Sequence, residues 1–307
     1  MGNTGPALSV VVTIVDGGDT LRRSLHALTH QEDAPPLEIL VPWDASVTGI
    51  EDLRRAYSEV RFLEMGAIEP TRPIHTAAGQ HELYDRRRAV GLSKARGRIV
   101  AILEDRGVPR ADWARNVLQE HEQPFDVIGG AIECAPCGLL NWAFYVCDFG
   151  RYGLPFVGGA AAWISDVNVS YKRSAIEGTR DLWKERFHEP IVHWALLERG
   201  STLYLSPEIV VEHSRKPMSL RALIPERFHW GRLFGSIRAS HVSTARRAAY
   251  AALSPLLPIL LLARHGRTQH RRGRSGRYLR ATPLILVLLI AWSAGEMLAY
   301  VTQPRQR

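Results

Sequence analysis

The chain has 307 residues, 46% of them hydrophobic and 23% charged, with a formal net charge of +8. That length accommodates one large α/β domain plus an appendage, and the balance excludes a disordered chain. Three cysteines (Cys134, Cys137, Cys147) exclude a disulfide framework. The lone CxxC pair leaves two readings: a metal site needing two more ligands, or reduced thiols in a cytosolic domain.

The first half alternates strand and helix signals. Leu8–Val15 is a continuous apolar, β-branched run, the pattern of a buried parallel strand. Thr20 is placed to cap a helix whose Leu21, Leu25 and Leu28 share one face. Leu37–Val41 and Val60–Leu63 read as the next strands, and Leu83–Ala95 as a basic helix ended by Gly97. Arg98–Leu103 reads as another buried strand. Pro109 and Trp113 open a helix towards His121, and Asp126–Ile128 begins the strand after it. Strands separated by helices of this length imply βαβ units, whose ligands bind at the carboxyl ends of the strands. Acids sit at three such ends: Asp16, Asp44, and Glu104 with Asp105. Together they suggest one acidic crevice; singly, each is an ordinary loop or cap residue.

Further on, Asn168–Lys172 reads as a strand and Pro190–Arg199 as a helix closed by Gly200. Thr202–Leu205 and Ile209–Val211 read as two strands. Leu220–Arg238 reads as a basic, aromatic-containing amphipathic helix near a membrane surface. Two apolar stretches follow. Ala248–Ala263 contains Pro255 and Pro258, which predict a poor span. Pro283–Val301 is 19 residues, about 28 Å as a helix against a hydrocarbon core of about 30 Å. Between them Arg264 to Arg280 holds seven arginines and no acid. That placement points to lipid headgroups rather than nucleic acid, for which no aromatic or zinc-finger pattern appears. The start, Met1 to Leu8, has neither the basic region nor the apolar core of a signal peptide. The expectation is therefore a cytoplasmic catalytic domain, with a re-entrant or interfacial first stretch keeping the arginines on that side. The organisation expected is a domain over residues 1–215, a basic interfacial helix over 216–247, and membrane-associated helices over 248–307.

The order of these motifs resembles a known family. LSVVVTIVDGGDTLRRSLHAL is similar to the opening strand, acidic loop and first helix of family 2 glycosyltransferases of the GT-A fold. LEILVPWDAS resembles their second strand and its Asp-Asp-Gly-Ser end, with Trp43 for the first Asp and Ala45 for the Gly. Arg88-Ala89-Val90-Gly91 resembles the family's Arg-Asn-x-Gly helix, and ILEDRGVPRADW its Leu-Asp-Asp-Asp…Pro…Trp segment. More closely, the chain is similar to a bacterial membrane-associated subgroup with a Glu-Asp-His motif at this place. The resemblance runs from about Leu8 to Val301.

It implies an α/β GT-A domain with a C-terminal membrane segment, and an inverting glycosyltransferase of hexosyltransferase type. The donor implied is a nucleoside-diphosphate sugar, a UDP-sugar first, and the acceptor a lipid-linked or cell-envelope glycan at the cytoplasmic membrane face. Asp16, Asp44, Arg88, Glu104, Asp105, Arg227 and His229 correspond to donor-binding positions, the last two within Arg227-Phe228-His229-Trp230-Gly231-Arg232. Asp105 and His213 correspond to ligands of Mn2+ or Mg2+. Arg106 stands where the family has Asp or His. Either Asp105 and His213 suffice for metal, or Arg106 supplies the positive charge itself. Counting back from Gly200 places Glu189 at the family's catalytic acid and His188 before it. A carboxylate there takes the acceptor hydroxyl's proton during direct displacement. His193 and Trp194, one turn on, are expected to contact the acceptor. A rival reading is a catalytically degenerate sugar-nucleotide binding protein, favoured by Trp43 and Arg106. A dinucleotide oxidoreductase lacks its GxGxxG after the first strand.

Overall fold

The computed structural model describes residues 5–74 and 76–302; the outermost parts of the expected first and last segments, residues 1–4 and 303–307, lie outside them. In chain order the elements open with β1 (Leu8–Thr13), α1 (Gly18–Thr29), β2 (Glu38–Trp43), α2 (Ile50–Ala56), β3 (Arg61–Glu64) and α3 (Ala77–Lys94). Then come β4 (Ile99–Glu104), β5 (Gly107–Pro109), α4 (Trp113–Glu120), β6 (Val127–Cys134) and α5 (Leu139–Asp148). β7 (Gly159–Ala160), β8 (Asn168–Lys172), α6 (Arg173–Gly178), α7 (Arg180–Trp183), α8 (Glu189–Glu198) and β9 (Leu203–His213) follow. The chain ends in α9 (Leu220–Ser240), α10 (Thr244–Leu253), α11 (Leu257–Arg271) and α12 (Ser275–Thr302).

Two compact units result. The first takes residues 1–72, 79–135 and 152–214; the second takes 73–78, 136–151 and 215–307. The sequence boundary near residue 215 coincides with the last of these divisions. Residues 136–151 join the C-terminal helices, because α5 carries Trp142, Ala143, Phe144, Tyr145 and Val146 as buried side chains, and Phe144 is met by arginines of residues 215 and 227.

The first unit is built on a nine-stranded mixed sheet of order β3-β2-β1-β4-β8-β6-β9-β5, with β7 against β9. β1, β2, β3 and β4 pair in parallel, as the βαβ pattern predicts. All six residues of β1 are buried, which is what a central strand covered on both faces requires. Gly91 lets α3 lie on that strand, since a Cβ there would fall 2.3 Å from Val11 Cγ1. β8 departs from the expected parallel order, running antiparallel between β4 and β6. The two strands expected near residues 202–211 are one strand, β9, whose register against β6 shifts between Gly130 and Ala131. Pro109 belongs to β5 and not to a helix; α4 starts at Trp113. Gly200, at φ +86, ends the α8 segment in the left-handed conformation that favours glycine.

In the second unit the buried stripe of α9 is Leu223, Arg227, Gly231, Gly235 and Ala239, spaced four apart along one face. It faces α12: a Cβ on Gly231 would fall 2.0 Å from the Trp292 carbonyl oxygen, and one on Gly295 2.0 Å from that of Phe228. The buried stripe of α9 thus packs on another helix. Pro255 and Pro258 do not break the first apolar stretch. They sit in the first turns of a 3-10 turn (Ser254–Leu256) and of α11, where the missing N–H would have had no intrahelical acceptor. Helical structure consequently runs from Thr244 to Arg271, and the expected arginine loop is the end of α11, a turn at Gly273, and the start of α12. Thr244–Arg271 and Ser275–Thr302, 28 residues each, are long and apolar enough to cross a membrane by length and composition.

Candidate active site

The carboxyl ends of β1, β2 and β4 lie along one edge, with Thr13 opposite Glu104 and Val11 opposite Leu40. Asp16, Asp44, Glu104 and Asp105 all leave from that edge. The structure does not leave them as an open acidic crevice. Each faces an arginine, a backbone amide, or both.

Asp105 is fully buried. Its Oδ2 accepts the backbone N–H groups of Gly17 at 2.7 Å and Asp16 at 3.1 Å. Gly17, at φ +64, precedes α1 and offers no side-chain cap. The carboxylate from β4's end therefore takes the amides just before α1, and Thr20, expected as the cap, is a buried residue of the first turn. Arg106 donates to Asp16 Oδ1 at 2.6 Å, and its Nε is buried with no hydrogen-bond partner. His213 sits across the β5–β9 ladder from Gly107, and the Ser214 amide donates to the Arg106 carbonyl at 2.9 Å. The ladder thus brings the Asp105–Arg106 segment close in register to His213. Yet the carboxylate expected as metal ligand is enclosed and already holds two N–H donors, with a guanidinium beside it. This set does not fit a directly ligated cation.

Asp44 is also buried. Its Oδ1 accepts the Ser46 amide at 2.9 Å, and its Oδ2 accepts Arg87 Nε at 2.8 Å. Burial alone would raise its pKa, but Ser46 and Arg87 outweigh that and hold it below the usual carboxylate range. With Ser46 on one oxygen and Arg87 on the other, Asp44 shapes the end of β2. Arg87, which the sequence reading passed over, also donates to the Ile14 carbonyl at 2.6 Å, so it ties β1's end to β2's.

Arg88 was expected at the nucleotide. It is instead 2% exposed and holds acids together: Nη2 lies 2.9 Å from Glu104 Oε1, and Nη1 2.9 Å from Asp166 Oδ2 and 3.5 Å from Asp85 Oδ1. The guanidinium faces three carboxylates and holds them together, while its Nε is buried with no hydrogen-bond partner among the described residues. Asp85 was findable as the (i, i+3) partner of Arg88; nothing in the local pattern marks Asp166.

Glu189 opens α8. Its Oε2 accepts the Asp166 amide at 3.1 Å, and its Oε1 lies 3.7 Å from His193 Nδ1. The carboxylate thus stands one residue from the Asp166–Arg88–Glu104 chain that leads to the end of β4. His193, expected at the acceptor, is 2% exposed, and its Nε2 is 2.8 Å from the Tyr171 hydroxyl. Burial pulls its pKa down to about 3. It is a neutral interior imidazole, because α8 turns that side of the helix to β8. Trp194 stays partly exposed and meets Trp163 edge to face at 6.0 Å between ring centres.

In the second unit Arg227 is bound to Asp148 and lies over Trp292, 4.6 Å from the ring centre. It pairs with a partly buried acid of α5. His229 is exposed, its Nδ1 2.7 Å from the Pro225 carbonyl oxygen.

Two carboxyls at the sheet edge are shifted upward. Burial pushes Asp105 to about 6, opposed by the Gly17 amide and helped by the Asp16 charge. Burial pushes Glu104 to about 7, with Arg88 opposing and Asp166 adding. Both folded values exceed the unfolded ones. Their stabilising contribution is complete below about pH 4 and is lost as pH rises through about 6 and 7. Glu104→Gln should therefore flatten the fall in melting temperature between about pH 4.5 and pH 7. Parallel profiles for variant and wild type would show that Glu104 is ionised throughout.

A sheet whose parallel half collects acids and arginines at its carboxyl edge, next to a helix bearing a carboxylate, is the arrangement of a GT-A glycosyltransferase. The model of glycosyl transferase family 2 matches residues 9–177, more than half of the chain, and the chain belongs to that family. It is 22% identical over 298 residues to the glycosyltransferase AglE of Haloferax volcanii, covering 95% of this chain and 93% of that one. Its fold is similar to that of S. aureus TarS 1-349 in complex with UDP-GlcNAc, with a TM-score of 0.52, 11% identity and coverage of 90% of each chain. It is also similar to the mannosyltransferase PcManGT of Pyrobaculum calidifontis in complex with GDP-Man and Mn2+, with a TM-score of 0.55 and 15% identity over 95% of this chain and 87% of that one. Use of a divalent metal is compatible with the second likeness and with a group of His81, Asp85 and His188, whose ligand atoms lie within 4.8 Å of one another.

Proposed function

We propose that the chain moves a sugar, with inversion, from a nucleoside-diphosphate donor to a lipid-linked or cell-envelope glycan acceptor at the cytoplasmic membrane face. The observation that carries this reading is Glu189. It opens α8 and hangs from the Asp166 amide, and through Asp166 and Arg88 it is tied to the strand end where a GT-A donor lies. A single carboxylate on the acceptor side takes the hydroxyl proton as the oxygen attacks the anomeric carbon. The nucleoside diphosphate leaves from the opposite face, so the configuration inverts. Arg106 supports a donor charge held by protein: its spare buried Nε is a donor for a diphosphate oxygen. A metal held on the substrate itself, Mn2+ or Mg2+, would add charge neutralisation there. Trp194 with Trp163 supplies an aromatic surface for a sugar ring. Exposed Leu256, Ile259, Leu260, Leu279 and Val301 on the C-terminal helices, together with the arginines between Arg264 and Arg280, suit an anionic bilayer surface.

A thermal-shift screen of the detergent-extracted chain against UDP- and GDP-sugars, with and without Mn2+, tests the donor. Nuclear magnetic resonance of the product made on a polyprenyl-phosphate sugar tests acceptor and anomeric outcome. We expect a UDP-sugar to stabilise the chain and the product to have inverted configuration. Retained configuration would overturn the mechanism. Donor binding without transfer to any envelope-type acceptor would favour the degenerate binding protein.

A further inference from the structure

Beside the Glu189 and Arg106 chemistry, the first unit holds a cluster of two histidines and an aspartate. His81 and Asp85 lie one turn apart on α3, and His188 immediately precedes α8. The Nδ1 atoms of His81 and His188 stand 3.0 and 3.1 Å from the same oxygen, Asp85 Oδ2. Asp85 is 1% exposed. Its Oδ2 and His188 Nδ1 are both buried and neither has an aligned hydrogen-bond partner. The Asp85 oxygen and the two imidazoles thus bring three ligand atoms within 4.8 Å of one another.

We propose that His81, Asp85 and His188 form a site for a borderline transition-metal dication of the Zn2+ type, which cross-links α3 to the start of α8. Two imidazoles and one carboxylate suit such an ion and do not suit Mg2+ or Ca2+, which prefer oxygen. Ligand atoms about 2.0–2.2 Å from tetrahedral zinc lie about 3.4 Å apart; the two imidazole nitrogens stand 3.0 and 3.1 Å from the carboxylate oxygen, and the three ligand atoms lie within 4.8 Å of one another. The surroundings fix the ligands. The Asp85 carbonyl oxygen accepts the Phe187 amide at 3.1 Å, which delivers His188 to the cluster, and Asp85 Oδ1 faces Arg88 at 3.5 Å. The fourth position is left to water. Asp85 connects through Arg88 to Glu104 at the end of β4, and the site stiffens the entry to the helix that bears Glu189. It does not depend on the proposed donor or acceptor.

The test uses the full-length chain in detergent, stripped of metal by chelator and titrated with Zn2+ by calorimetry. One equivalent should bind, and His81→Gln and His188→Gln should each weaken it by about 100-fold or more. Asp105→Asn should leave it intact. X-ray absorption of the zinc-loaded wild type should show nitrogen and oxygen ligands, including imidazole, and no sulfur. This second measurement needs no variant to fold. Absence of stoichiometric zinc, binding unchanged in the double histidine variant, or sulfur in the zinc shell would each overturn the proposal. Because the readout is zinc alone, its failure leaves the sugar-transfer reading standing, and failure of donor binding leaves the zinc site standing.

Discussion

Glu189→Gln is expected to lower turnover by about 10²–10⁴-fold, or roughly 3–5 kcal/mol of barrier, while donor affinity stays nearly unchanged. Glutamine keeps the carbonyl oxygen that accepts the Asp166 amide, so the start of α8 keeps its anchor. What it loses is the ability to receive a proton. The proposed donor-binding groups sit at the ends of β1 and β4, and none of the contacts seen there passes through the Glu189 carboxylate itself. Initial rates on a UDP-sugar, set beside the donor-induced shift in melting temperature, separate the two effects. Loss of the shift, or of stability, would show Glu189 to be a helix N-terminal anion held by the dipole. Unchanged turnover would move the base elsewhere, with His188, which is partly exposed, the next residue to substitute. His193 is a poorer choice, being enclosed with Tyr171.

Arg88→Met should be the most destabilising single change in the first unit, costing about 3–5 kcal/mol, because it leaves buried charge without its counterion. In melting temperature that is roughly 10 °C for a chain of this size. The guanidinium faces Glu104, Asp166 and Asp85, and all four side chains are at least four-fifths enclosed or nearly so. Without it, the carboxylates repel one another and protonate. The deficit should therefore shrink at lower pH, as Glu104 takes up a proton. Arg88→Lys keeps the charge but loses the fork, and should fall between the two. Unfolding of the three proteins at about pH 7.5 and about pH 5.5 checks the order. A loss below about 1 kcal/mol for Arg88→Met would mean that the acids relax to solvent and that the network is no more than a surface one.

The sequence by itself determined the parallel half of the sheet, because burial on both faces writes continuous apolar runs such as Leu8–Thr13 into the chain. It determined the close packing of α3 through Gly91, the end of α8 at Gly200, and the apolar C-terminal helices, since each is a local property of a few neighbouring residues. The family, too, was legible in motif order. Only the tertiary structure decided how the charges pair. Arg87 and Arg88 are adjacent and look alike in sequence, yet one closes on Asp44 and the other on Glu104, Asp166 and Asp85. Asp105, which resembles a metal ligand, became the acceptor for two amides ahead of α1. Arg227, expected at phosphate, was taken by Asp148 of a helix that the chain order places in another domain. The antiparallel place of β8 and the single bulged β9 were likewise beyond local reading. The physical reason is the same in each case. Burial and backbone preference act over a turn or a strand. The partner of a buried charge is whichever group the fold brings within about 3 Å, often dozens of residues away, and in a low-dielectric interior that choice dominates the energy.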